Sequence, residues 1–149
     1  MVVFRGTCLI TNPGNETRKS ELQGIEEFAK LFGFKISRVQ DPGTLDGGDV
    51  LKVGNTIYVG LSARTNLDGI MQLAKTFEPL GAKVVTIHIT EVLHLKSAIT
   101  ALPEGLIIGY DKHIPDITGL ESYVGMYEES GAHVVDLEDN MILMATGAE

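Results

Sequence analysis

With 149 residues, 44% hydrophobic and 21% charged, the chain is long enough to bury one domain's core, and its composition is that of a globular protein and not a disordered one. Twenty acidic residues against twelve basic ones leave a net charge of −8. That field repels phosphate backbones, and with no Lys/Arg stripe in view, nucleic acid is not expected as a partner. No apolar run approaches the roughly 20 residues of a membrane span, and Met1-Val-Val-Phe-Arg5 lacks the basic-then-apolar layout of a signal peptide. Cys8, the single cysteine, fits a reducing compartment. A cytoplasmic protein with no membrane contact is the expectation.

In chain order, two short β-rich runs (residues 2–4 and 8–11) flank Arg5-Gly6-Thr7. Leu22, Ile25, Phe28, Ala29 and Phe32 then fall at helical spacing after a polar region around Thr17, and Gly33 closes the stretch before Lys-Ile-Ser. The second round repeats the pattern. Runs 49–53 and 56–61 flank Gly54-Asn55, a hairpin dipeptide, and Ile70, Leu73, Ala74 and Phe77 form the next apolar stripe after Asn66. Gly81-Ala-Lys-Val-Val follows as stop and strand. In the third round, runs 97–102 and 106–109 flank Pro103-Glu-Gly105. Thr118-Gly-Leu-Glu121 has the capping-box pattern, and Leu120, Tyr123, Val124 and Tyr127 predict a third helix before Gly131-Ala-His-Val-Val. A fourth run opens at Asn140. The unit is strand, strand, helix, strand, recurring at roughly fifty residues. One α/β domain over 1–149 is expected, with units at about 1–43, 44–90 and 91–137 and the start of a fourth at 138–149. Such units stack or circle because none buries its core alone.

The first strand of each later unit opens on unusual chemistry. Unit two starts Thr44-Leu-Asp-Gly-Gly-Asp49, unit three Leu93-His-Leu-Lys-Ser97, and the last Glu138-Asp-Asn140. Equivalent positions in a circular repeat point at one centre, so Asp46 or Asp49, His94 and a residue near Asn140 are candidates to converge. Plainer readings stand beside each: Asp46-Gly-Gly-Asp49 also reads as a turn, and His94, between two leucines, as a structural or exposed histidine. Arg18 and Arg64 both open helices, against the dipole's preference for negative charge. That suits either a carboxylate ligand or a plain surface site. The four histidines form no ligand-spaced cluster, and no phosphate-binding glycine loop occurs, so neither metal nor cofactor is expected. Cys8 falls in the second strand beside Leu9 and Ile10 and reads as packing.

Thr44-Leu-Asp-Gly-Gly-Asp-Val-Leu51, continued through Gly60-Leu-Ser-Ala-Arg-Thr-Asn66, resembles the dimethylarginine dimethylaminohydrolase family. Leu93-His-Leu-Lys-Ser97, and Leu9-Ile-Thr-Asn-Pro-Gly14 with Arg18, extend the match over residues 1 to about 110 and more loosely to the end. The resemblance implies a pentein, an α/β propeller of five strand-strand-helix-strand units around a pocket. This chain would hold about three of them. It further implies hydrolysis of methylated arginine to citrulline and a methylamine: a cysteine thiolate attacks the guanidinium carbon, a histidine shuttles protons, and water resolves the intermediate. By position His94 would be the acid/base and Asp46 the catalytic carboxylate on the guanidinium side. Asp49 would bind substrate beside it, and Arg18 and Arg64 would clamp the substrate carboxylate. Asn140 receives no role. The family's acidic pair ahead of Val2 and its late cysteine have no counterpart here. The expectation is therefore a hydrolase-like chain inactive as it stands, with a non-catalytic arginine-analogue binder or a module self-assembling through open sheet edges as alternatives. A small guanidino compound and a second copy of the chain are the expected partners.

Overall fold

The computed structural model describes residues 1–22, 24–137 and 141–145. Three three-stranded sheets follow one another along the chain, each with its second strand in the middle. The first holds β1 (Val2–Phe4), β2 (Thr7–Ile10) and β3 (Lys35–Arg38), the second β4 (Val50–Val53), β5 (Thr56–Leu61) and β6 (Lys83–His88). The third holds β7 (Ile99–Ala101), β8 (Ile107–Gly109) and β9 (Tyr123–Gly125). In every sheet the first pair is an antiparallel hairpin and the third strand returns parallel to the second. Parallel return demands a crossover connection. In the first two sheets that crossover contains α1 (Ile25–Leu31) or α2 (Leu67–Phe77).

Both helical stretches stop where the sequence predicts. Gly33 and Gly81 take φ of 71° and 88°, the left-handed conformation that ends a helix and that a Cβ disfavours. Asn66 caps α2 by accepting the Gly69 N–H at 2.8 Å, and Ile70, Leu73 and Phe77 turn inward at 4%, 0% and 0% exposure. They pack on Val2, Phe4, Leu9, Leu45, Val50, Ile57 and Val59, so α2 fills the wedge between the first two sheets. A second cluster, with Tyr58, Leu95, Ile99, Ile107, Ile114 and Leu120, joins the second sheet to the third. A third lies under α1, where Ala29 meets Cys8 and Ile10. Cys8 is fully buried there, as its place in the middle strand suggests. The outer face of α1 leaves Phe28, Leu31 and Phe32 at 47%, 82% and 61% exposure. Among the described residues no helix is long and apolar enough to cross a membrane.

The third unit departs from expectation. Tyr123–Gly125 is a strand, so the helix predicted through Leu120 and Tyr127 is absent. Pro115 removes a helical donor, and the Thr118 N–H and hydroxyl both turn back to Asp116 Oδ1, at 2.9 and 2.6 Å, in a local turn. Ser122 sits at φ 50°, outside the helical region, and Tyr123 and Val124 favour a pleated surface. With β9 already serving as third strand, the segment after Gly131 is displaced. It forms β10 (Val134–Asp136), which pairs antiparallel with β11 (Ile142–Met144). The predicted fourth run thus pairs with the strand placed at the end of unit three. Asn140 lies outside the described residues.

The seat of α2 yields a stability prediction. A Cβ on Gly69 would collide with the backbone of Thr44, whose carbonyl lies against the first turn of the helix. Gly69→Ala is expected to cost about 1–3 kcal/mol as α2 moves outward. Gly47→Ala, where a Cβ meets nothing within 4 Å, should change far less. Paired urea denaturation curves measure both.

Candidate functional site

Asp46 and His94 occupy matching places in successive units. Each is extended, at φ −102° and −143°, and each immediately precedes a single 3-10 turn, Gly47–Asp49 or Leu95–Ser97, that feeds the first strand of its sheet. Leu93–Ser97 is therefore not a strand, and its two leucines part company: Leu95 is fully buried while Leu93 is 55% exposed. Close packing of the two turns depends on glycines. A Cβ on Gly60 would stand 2.8 Å from Leu95 Cβ, and one on Gly48 would stand 2.7 Å from His94 Cγ. The His94 ring lies directly against the bare backbone of Gly48.

Four of the five predicted residues meet here. Asp46, 2% exposed, accepts from Arg18 Nη1 at 2.8 Å. His94 Nε2 is 3.9 Å from the same Asp46 oxygen, and His94 Nδ1 is 3.5 Å from Asp49 Oδ1. The imidazole thus stands between two carboxylates, its side chain 18% exposed. Arg18 is also bound by Glu21, its guanidinium bridging a surface carboxylate and a buried one. The Glu21 hydrogen bond and then the Asp46 charge hold the Arg18 proton more tightly than usual. Arg64 is tied to the site through its backbone: its N–H donates to Ser62 Oγ at 3.0 Å, and its carbonyl lies against Gly14.

Asp49, expected to bind substrate beside Asp46, lies in the interior. It is fully buried, and its oxygens are engaged by the chain itself. Ser62 Oγ and Thr65 Oγ1 donate to Oδ2 at 2.8 and 2.6 Å, and the Leu95 N–H donates to Oδ1 at 3.0 Å. The enclosed carboxylate anchors the end of β5 to the turns before β4 and β7. Ser62 and Thr65 went unassigned in the sequence, although hydroxyl residues at the end of a buried strand are a signal for such a role. Thr65 Oγ1 also accepts the Asp46 N–H at 3.0 Å, so one hydroxyl positions both acids.

Cys8 lies under α1, in contact with Met1 Sδ at 3.5 Å. Burial pushes its thiol pKa up, away from the thiolate. Among the described residues no group of three or more His, Cys, Asp and Glu side chains is placed to hold a metal ion.

Successive sheets of one topology, with an aspartate and a histidine at matching entries, define a chain of the pentein type. A sequence profile of the arginine deiminase family matches residues 25–116. The N(G),N(G)-dimethylarginine dimethylaminohydrolase of Streptomyces coelicolor is 53% identical over 99% of this chain and 57% of its own length. The enzyme of that name from Pseudomonas aeruginosa is 39% identical over 64% of this chain and 38% of its own. A solved Pseudomonas aeruginosa structure, a cysteine-to-serine variant complexed with citrulline, superposes with a TM-score of 0.82 at 28% identity. That superposition covers 99% of this chain and 59% of that one. The chain belongs to the arginine deiminase family, as a dimethylarginine dimethylaminohydrolase-like member of the pentein superfamily. It spans a little over half the length of the Streptomyces relative.

Two substitutions test the geometry. Gly48→Ala should push the His94 ring away from Asp49, opening the 3.5 Å separation, as read in a crystal structure of the variant. Thr65→Val keeps the shape but strips a donor from a fully buried carboxylate. A loss of about 1–3 kcal/mol in urea unfolding is expected.

Proposed function

We propose that the site binds the guanidinium of methylated arginines and supplies the cation-holding and proton-transfer groups of a dimethylargininase-type hydrolase. One observation carries the reading: Asp46 already holds a guanidinium, that of Arg18, at 2.8 Å, and the same oxygen is 3.9 Å from His94 Nε2. A ligand guanidinium that takes the place of Arg18 on Asp46 lies beside the imidazole. Charge-assisted bonds to a planar cation suit Asp46 for this work. Arg18, once released, and Arg64 are the groups for the ligand's carboxylate. In the reaction, a thiolate adds to the guanidinium carbon and His94 delivers a proton to the departing methylamine nitrogen. Water then adds, and the thiol leaves with citrulline as product.

The thiolate is not supplied by Cys8, which is fully buried beneath α1 and whose thiol pKa burial pushes up. Residues 1–149 by themselves therefore bind without turning over. The three sheets are read as three successive units of the pentein ring, with β10 and β11 opening the next. That hairpin also favours self-association as a second reading. Val135 and Leu143 are cross-strand partners, Leu137 and Met141 continue the same face, and all four are 49–58% exposed. A second copy of the chain is the proposed cover. Light scattering should report a dimer or larger species, and a monomer at high concentration overturns this second reading.

Calorimetry with dimethylarginine, run beside a citrulline assay, tests the main reading. Saturable binding is expected, weakened about tenfold or more by Asp46→Asn and little affected by Cys8→Ser, with no citrulline formed. Binding indifferent to Asp46→Asn overturns the assignment. Citrulline formation abolished by Cys8→Ser overturns the exclusion of Cys8.

A further inference from the structure

We propose that Asp49 is a positioning residue that fixes the tautomer of His94, placing the proton on Nδ1 and leaving the Nε2 lone pair to face Asp46 and the ligand. This rests on the reading of His94 as the acid/base and adds what sets its orientation.

Hydrogen-bond accounting around Asp49 leads there. Ser62 Oγ accepts the N–H groups of Arg64 and Thr65, at 3.0 and 3.1 Å, so its own proton is left for Asp49. Thr65 Oγ1 accepts the Asp46 N–H, so its proton likewise goes to Asp49. The Leu95 N–H is a donor only, and it points at Oδ1. Both oxygens of Asp49 are thereby acceptors. His94 Nδ1 is shielded from solvent and lacks a hydrogen-bond partner within normal distance; its neighbour is Oδ1, at 3.5 Å. Facing an acceptor oxygen, an Nδ1 lone pair is repelled, whereas an Nδ1–H is attracted and closes into a hydrogen bond with a small shift of the ring.

At the opposite pole Nε2 looks toward Asp46, whose Oδ2 is occupied by the Arg18 guanidinium. An Nε2 lone pair there is the one that takes up a proton and later gives it to a departing amine, a duty that the other tautomer cannot perform from a buried Nδ1. The pieces lie on three segments: Asp49 before β4, Ser62 and Thr65 after β5, His94 before β7. The second sheet thus sets a proton carried by the third.

Long-range nitrogen–proton correlation NMR of the uniformly labelled chain, above the pH at which His94 is neutral, tests this without turnover. The expected result is a pyrrole-type Nδ1 and a pyridine-type Nε2, the favoured tautomer prevailing by about tenfold or more, as a hydrogen bond to a carboxylate requires. A dominant Nε2–H form or an even mixture overturns the proposal. Asp49→Ala should collapse the bias toward a mixture while Ser62→Ala, which removes one of three donors, preserves it. A folded Asp49→Ala chain with unchanged tautomer also overturns it. Should that variant not fold, the wild-type spectrum decides alone. Failure of dimethylarginine to bind would count against the ligand assignment and leave the tautomer result standing.

Discussion

The structure turns on a carboxylate that never sees solvent. Removing an acid from water is costly unless its lone pairs are met, and an unmet buried charge is among the more damaging defects a fold can carry. Asp49 is met by two hydroxyls and an amide, drawn from the end of β5 and from the turn before β7. Those donors lie 13, 16 and 46 residues beyond Asp49 in sequence, so satisfying Asp49 ties the second sheet to the turn that enters the third. The apolar cluster around Leu95, Tyr58 and Ile99 then closes over the junction. Burial supplies the driving force, but it is non-directional; the carboxylate selects one arrangement among those burial alone permits.

Repetition explains how a site assembles from distant residues. Hairpin followed by parallel return places the entry to every first strand at the same edge of its sheet, and neighbouring sheets bring those entries together. Asp46 and His94 share the same kind of local conformation, extended and then one 3-10 turn, at matching places in their units. Chemistry differs between copies while backbone geometry is kept. Loops and strand entries tolerate such divergence since the core is built elsewhere.

Sequence reading succeeded where a residue has one physical reason to be present. Gly33 and Gly81 mark helix ends because a Cβ opposes their φ, and Asn66 marks a helix start because its side chain satisfies an orphan amide. It failed where two patterns share the same letters. Leu120, Tyr123, Val124 and Tyr127 fit a helical stripe, yet a turn around Asp116 and the left-handed Ser122 rule the helix out, and Tyr123 prefers to pair as a strand. In the candidate site, the meeting of Asp46 and His94 was legible from their matching places in the repeat. The anchoring task of Asp49 was not, since an aspartate in a Gly-Gly-Asp run looks the same whether it faces a ligand or the interior. Its donors, Ser62 and Thr65, come from another strand, and only tertiary contact reveals them.

The contact between Arg18 and Asp46 changes what affinity means at this site. A tethered guanidinium competes with any free one, and short tethers give effective concentrations of about millimolar. On the proposed reading, a ligand guanidinium must displace Arg18 from Asp46, so part of what that carboxylate contributes to binding is offset. On that reading, discrimination falls to whatever the ligand has beyond its cation: its carboxylate, its methyl groups, its length. Arg18 is, on the same proposed reading, a built-in competitor for Asp46.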